Sequence, residues 1–148
     1  MSVLEPLLDF LLEFLTGRRV IVVGDSMSPT YREGQRLVVS RRAYRRRRPA
    51  RFDVVLLAAP GGEGREDLKR VVGLPWEEVT LSDGVLLVAG ARTEEPYLAT
   101  APDAPEGSFD WRTGQDEYVV LGDNRRRSTD SRAYGFVALR HIVGPVVR

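Results

Sequence analysis

Residues 3–15, VLEPLLDFLLEFL, set Leu4, Leu7, Leu8, Leu11, Leu12 and Leu15 at helical spacing, while Glu5, Asp9 and Glu13 recur every four positions on another face. That spacing predicts an amphipathic helix. It falls short of the ~20 apolar residues a bilayer-crossing helix needs, and its three acids and Pro6 argue further against crossing. No positively charged stretch precedes the apolar run, so a cleavable secretory signal is not predicted. The helix is expected to pack on its own domain or on another subunit, or to lie in a membrane interface. Its acidic face weighs against the last of these.

From Arg19 onward the pattern changes to short apolar runs between turn residues: Val20–Val23, Arg36–Ser40, Phe52–Ala58, Val79–Leu81, Val85–Ala89, Tyr118–Leu121 and Ile142–Val147. These read as strands, and Asp83-Gly84 between two of them is a hairpin signal. The expected fold is mainly β: a single domain of short, curved antiparallel strands over 18–148, preceded by the helix of 1–17. The stretch Glu94–Gly114, rich in Pro, Glu, Asp and Gly, reads as a long surface excursion.

At 148 residues one domain is the default, and the absence of cysteine with a single histidine excludes disulfides, thiol nucleophiles and Cys/His zinc clusters. The 22 basic and 21 acidic residues nearly cancel, so net charge names no polyanionic partner. The basic residues are nevertheless unusual, because Lys69 is the one lysine among them. Arginine cannot be deprotonated in a protein, whereas burial lowers a lysine amine until it can act as a base. Arginines 41, 42, 45, 46, 47 and 48, with Tyr44 between them, form the one strong charge run. It reads as a solvated hairpin loop blunting sheet edges, or as a site for anionic lipid or nucleic acid.

With this composition a nucleophilic hydrolase is restricted to a Ser-His pair on His141 or a Ser-Lys pair on Lys69. His141 lies in RHIVGP, on an expected terminal strand with no acid beside it. Lys69 precedes Arg70-Val71-Val72-Gly73, a polar-to-apolar switch that sets its amine at the mouth of a buried strand. Gly24-Asp25-Ser26-Met27-Ser28-Pro29-Thr30 follows a strand as a turn that presents a hydroxyl, but spacing does not choose Ser26 over Ser28 or Ser40.

Three stretches, GDSMSPT (24–30), LKRVVGLP (68–75) and GDNRRRSTDSRAYG (122–135), resemble in order the motif boxes of the type I signal peptidases, and Glu33–Val39 resembles the box between the first two. The resemblance implies a Ser-Lys serine protease with Ser26 as nucleophile and Lys69 as general base. It further implies that Ser128 hydrogen-bonds and orients the amine, that Asp130 and Arg132 form a supporting ion pair, and that Asp123, Asn124 and Arg125 shape the preceding turn. The oxyanion would be held by the Ser26 N–H; some family members add a hydroxyl two residues earlier, where this chain has Gly24. No metal or cofactor is implied.

By the same resemblance the substrate is a preprotein cut after small residues (Ala-X-Ala), lying as an added strand along Ile21, Val23, Gly24, Asp67 and Leu68, with Met27 near the pocket wall. The wording departs at Trp76, and residues 3–15 stand where the family carries a spanning helix. The expected location is therefore peripheral, on an anionic membrane surface, with a soluble form as the alternative. Such a form would mature one dedicated protein, as relatives resembling the nickel superoxide dismutase maturation proteases do. A self-cleaving repressor-type domain and a non-catalytic lipid- or nucleic-acid-binding module are the remaining alternatives. No nucleic-acid partner is expected.

Overall fold

The computed structural model describes residues 4–98 and 107–147, with side chains from residue 7 onward. The leucine-rich segment forms α1 (Leu4–Thr16), and Gly17 leads into β1 (Arg18–Ile21). A Cβ at Gly17 would stand 2.4 Å from Val38 Cγ1 and 2.6 Å from the Glu13 carbonyl, so glycine lets the helix end directly against the next strand. β1 pairs with β2 (Arg36–Val39), and a one-turn helix α2 (Ala43–Arg46) follows. Then come β3 (Val54–Ala58), β4 (Glu66–Gly73), β5 (Glu78–Ser82), β6 (Val85–Val88), β7 (Ala91–Arg92), β8 (Ser108–Arg112) and β9 (Glu117–Leu121). The short α3 (Ser131–Tyr134), β10 (Val137–Ala138) and β11 (Ile142–Pro145) complete the described chain.

The protein is mainly β, and its named strand pairs are antiparallel. A five-stranded sheet runs β10-β9-β4-β3-β11, a four-stranded one β7-β6-β5-β8, and the β1-β2 hairpin is joined to the C-terminal segment by a bridge between Val39 and Val146. The five-stranded sheet is covered on both faces. Val55, Leu57, Val71, Tyr118, Val120, Val137 and Ile142 pack on one side; Val119, Leu121 and Val72 pack against Val79, Leu81 and Leu86 on the other. Burial on both faces is why β9 reads as an unbroken apolar run rather than an alternating one. A Cβ at Gly73 would stand 2.7 Å from Val79 and 2.9 Å from Val119, so the strand stays bare where the two sheets press together. A third cluster of Val22, Met27, Tyr31, Leu37 and Val54 lies beneath the loop that follows β1.

Some expectations shift. The first strand ends at Ile21, not Val23, and β3 begins at Val54 because Phe52 takes a positive φ of 71°. The Asp83-Gly84 turn joins β5 to β6 with φ values of 46° and 80° at its two centres, matching a two-residue hairpin. The arginine run is not a plain hairpin loop, since its centre is helical: buried Ser40 Oγ accepts from Ala43 N at 3.1 Å and starts α2. Nor is Glu94–Gly114 wholly an excursion, because Ser108–Arg112 is β8, paired along its length with β5; residues 99–106 of that stretch lie outside the described residues.

The largest difference concerns α1. Asp9 and Glu13 turn toward the domain, lining a cavity with Arg47, Asp53, Val54 and Val146, and Asp9 meets Arg46 at 3.4 Å. The outward stripe is the apolar one, with Leu7, Leu8, Leu11 and Leu15 between 50% and 62% exposed. Among the described residues no helix is long and apolar enough to cross a membrane.

Candidate active site

The loop after β1 is fixed at both ends before it presents its serine. Val22 N donates to Gln35 O at 2.9 Å and Gly34 N to Val22 O at 2.8 Å, which holds the loop's entrance against the segment leading into β2. Met27, 1% exposed, plugs into the third core, so the residue after Ser26 anchors the loop from below. From the opposite side Asn124 N donates to Ser26 O at 2.9 Å and Asn124 Nδ2 to Asp25 O at 3.1 Å. Three independent attachments thus define where the Ser26 hydroxyl stands.

Lys69 arrives from β4, opposite Val55 in the ladder. Its Nζ lies 3.1 Å from Ser26 Oγ and 3.1 Å from the Leu68 carbonyl, and the residue is 3% exposed. Burial lowers the amine's pKa from its ordinary value, while Asp67 and Asp130 pull it back upward. An amine so placed, once neutral, can accept a proton from the hydroxyl it touches. The rival base of the sequence, His141, sits on the single turn Leu139–His141 rather than on a strand, with Nδ1 buried and unbonded.

The segment from Gly122 to Arg132 closes the site. Asp130 is fully buried, caps α3, and accepts from Arg132 Nε at 2.9 Å, Arg132 Nη2 at 2.8 Å and Gly122 N at 2.9 Å. Burial pushes its carboxyl up, but Arg132 and the Gly122 N–H outweigh this and hold it below the usual carboxylate range. Ser128 departs from the expectation that it hydrogen-bonds the amine. Among the described residues its Oγ makes no hydrogen bond to the amine, which is engaged by Ser26 and Leu68; the hydroxyl instead lies beside Asp130 and helps hold that carboxyl down. Gly122 separates Ser128 from the serine loop, and a Cβ there would stand 2.2 Å from Ser128 Oγ and 2.6 Å from Ser26 O.

A second layer braces β4 one residue beyond the lysine. Buried Arg70 makes two hydrogen bonds to Asp123 at 2.8 and 2.6 Å, donates to Phe52 O at 3.0 Å, and lies 3.8 Å from the centre of the Tyr97 ring. Thr30 Oγ1 donates to the same Asp123 at 2.5 Å, so one carboxylate ties the serine loop to the lysine strand. Buried Arg125 pairs with buried Glu95, which also accepts from Tyr97. Sequence reasoning gave Asp123 and Arg125 only a turn-shaping role and did not reach Arg70, Tyr97 or Glu95. The available signal was Arg70 inside an apolar strand, where a buried guanidinium requires an acid.

Of the expected substrate-contacting residues, Ile21 and Val23 are 61% and 85% exposed, and Gly24, with φ of 78°, has open space where a Cβ would be. Asp67 and Leu68 are partly buried on β4. Met27 does not form an open pocket wall, because its side chain is committed to the core below. Two free edges face this region. Among the described residues β4 pairs with β9 only from Arg70 onward, leaving Glu66–Lys69 bonded on one side alone, and β1 pairs only with β2. The arginine run is partly spent in ion pairs, with Arg46, Arg47 and Arg48 meeting Asp9, Asp53 and Asp116.

A family model described as "Signal peptidase, peptidase S26" matches residues 6–148. The chain belongs to the signal peptidase family. It is 36% identical over 137 residues to signal peptidase I V of Bacillus subtilis, a match that covers 84% of this chain and 80% of the relative. It is 34% identical over 128 residues to a probable signal peptidase I-2 of Synechocystis, covering 83% of this chain but 58% of that longer relative. Among solved structures, a signal peptidase I from Enterococcus faecalis superposes with a TM-score of 0.58 at 34% identity, over 66% of this chain and 95% of the other. Family membership accounts for the four sequence boxes, which in space surround one serine and one lysine.

Proposed function

We propose that this chain is a serine endopeptidase that cleaves preproteins after small residues through a Ser26–Lys69 dyad. The observation that carries the reading is the 3.1 Å contact between Ser26 Oγ and the amine of the chain's one lysine, in a site where burial favours the neutral amine. Neutral Lys69 accepts the Ser26 proton as Oγ attacks the scissile carbonyl carbon, and the carbonyl π pair moves onto oxygen. The Ser26 N–H, which donates to no acceptor among the described residues, is left to receive that charge. Expulsion of the leaving amine takes the proton from Lys69, and the ester is then hydrolysed by a water that the same amine deprotonates. The substrate adds as a strand to the unpaired edges of β4 and β1, where its backbone groups find partners.

The setting we propose for this reaction is a membrane surface reached peripherally. Its support is α1, whose Asp9 and Glu13 face the arginine run while Leu7, Leu8, Leu11 and Leu15 are exposed. An apolar stripe of this length in water requires a cover, and the arginines beside α1 suit anionic headgroups. Ser26→Ala and Lys69→Met should each abolish cleavage of an Ala-X-Ala preprotein without lowering the melting temperature by more than a few degrees. Full activity in either variant overturns the dyad. Leu11→Glu with Leu15→Glu should abolish flotation on vesicles containing phosphatidylglycerol while leaving cleavage of a soluble peptide intact. Unchanged flotation removes the membrane reading and favours a protease acting on one dedicated soluble substrate.

A further inference from the structure

Among the described residues one charged group lies within ion-pair range of the Lys69 amine without bonding to it: Asp67 Oδ2, at 3.9 Å. That distance is too long for a hydrogen bond but short enough for a direct electrostatic interaction in a site this dry. Both carboxylate oxygens are engaged by Arg65, whose Nη2 donates at 3.2 Å to the same Oδ2 that faces the amine and whose Nε stands 3.2 Å from Oδ1. Arg65 is itself fixed at the base of a tight hairpin, where its N–H donates to Gly62 O at 2.7 Å and its carbonyl accepts from Ala59 N at 2.9 Å.

We propose that Asp67 is the electrostatic partner of Lys69 during acyl transfer, stabilising the ammonium formed when Ser26 gives up its proton, and that Arg65 holds this carboxylate at ion-pair distance instead of in contact with the resting amine. The proposal rests on the Ser26–Lys69 reading and gives Asp67 a role through the lysine, distinct from its expected place on the substrate edge. The arrangement answers two opposed demands. A carboxylate in full contact would keep the amine protonated and useless as a base, whereas no carboxylate would leave the developing ammonium unsupported in a buried site.

The groups around the amine limit the alternatives. From its own strand and hairpin come Asp67 and Arg65; from the segment before α3 comes Asp130, which is already neutralised by Arg132. Tyr134 of α3 has its ionisation pushed up by burial, so it contributes no charge. Val55, opposite on β3, is apolar. Burial lowers the lysine, Asp67 and Asp130 raise it, and Arg65 lowers it. Removing Asp67 and removing Arg65 therefore act in opposite directions.

A single lysine makes the test direct, because a lysine-selective ¹³C label gives one side-chain NMR signal from the full chain. Its titration is followed in the Ser26→Ala background, alone and with Asp67→Asn or Arg65→Gln. The midpoint should move to lower pH with Asp67→Asn and to higher pH with Arg65→Gln. With Ser26 restored, Asp67→Asn should begin its acid limb at lower pH yet reach a plateau kcat about tenfold below wild type, the scale expected for loss of one partly screened charge. Arg65→Gln, at a half-exposed position, should keep the plateau and lose up to about tenfold on the acid limb, where less of the amine is then neutral. A lysine midpoint unmoved by both substitutions, or moved the same way by both, overturns the proposal. Because the titration needs no turnover, failure of the dyad itself would show separately, as a wild-type chain that cleaves nothing.

Discussion

Gly122→Ala isolates the geometric requirement of the site. Gly122 lies outside the left-handed region, so an alanine backbone is tolerated there and the consequence is one of contact. The new methyl would stand 2.2 Å from Ser128 Oγ, 2.4 Å from Ser128 Cβ and 2.6 Å from Ser26 O. To restore an ordinary contact of ~3.4 Å the Ser26 carbonyl must retreat by about 0.8 Å, stretching its 2.9 Å bond from Asn124 N. Overpacking of this kind costs about 1–3 kcal/mol, or roughly 3–9 °C in melting temperature for a domain of this size. Displacing a nucleophile by up to ~1 Å costs on the order of 10²-fold in rate. We therefore expect kcat/KM on an Ala-X-Ala peptide to fall about 30- to 100-fold, far more than the loss of folded protein at the assay temperature explains. Ser128→Gly removes two of the three clashing atoms, so the double variant should recover part of both losses, with a coupling measurable in a double-mutant cycle. A Gly122→Ala enzyme with wild-type kcat/KM and melting would refute the claim that this glycine sets the position of Ser26.

Two further outcomes follow from the buried charges. Asp123→Ala leaves Arg70 buried without its carboxylate and frees Thr30, and should destabilise the fold by about 3–5 kcal/mol in chemical denaturation, whereas loss of the exposed pair between Arg92 and Glu94 should change little. Lys69 has its pKa lowered on folding, so between its folded value and the unfolded 10.5 the unfolded chain binds the extra proton. Stability therefore rises with pH through that window, and Lys69→Met should flatten this slope in denaturation curves collected from neutral to alkaline pH.

The strands buried on one or both faces were legible because β-branched runs and the Asp83-Gly84 turn leave few alternatives; Tyr118–Leu121 and Val85–Ala89 fall within one residue of the observed elements. Strand β8 was hidden, since Ser108–Arg112 alternates exposed and half-buried positions inside a stretch whose composition reads as loop. The orientation of α1 was equally unreadable. Periodicity identifies two faces but not which one meets the protein, and here Arg46 and Arg47, more than thirty positions away, bring Asp9 and Glu13 to the side facing the arginine run. Ser26 and Lys69 were legible through their boxes. The Arg70–Asp123 and Arg65–Asp67 pairs were not, because the first joins positions 53 apart and the second has meaning only relative to an amine placed by the fold.

A surface that carries its permanent positive charge on guanidinium groups keeps that charge at any pH the fold survives, and leaves Lys69, 3% exposed, as the chain's one side-chain target for amine-directed reagents. Modification by such a reagent would record only those moments when strand and loop part, giving a chemical clock of how often the reaction centre breathes.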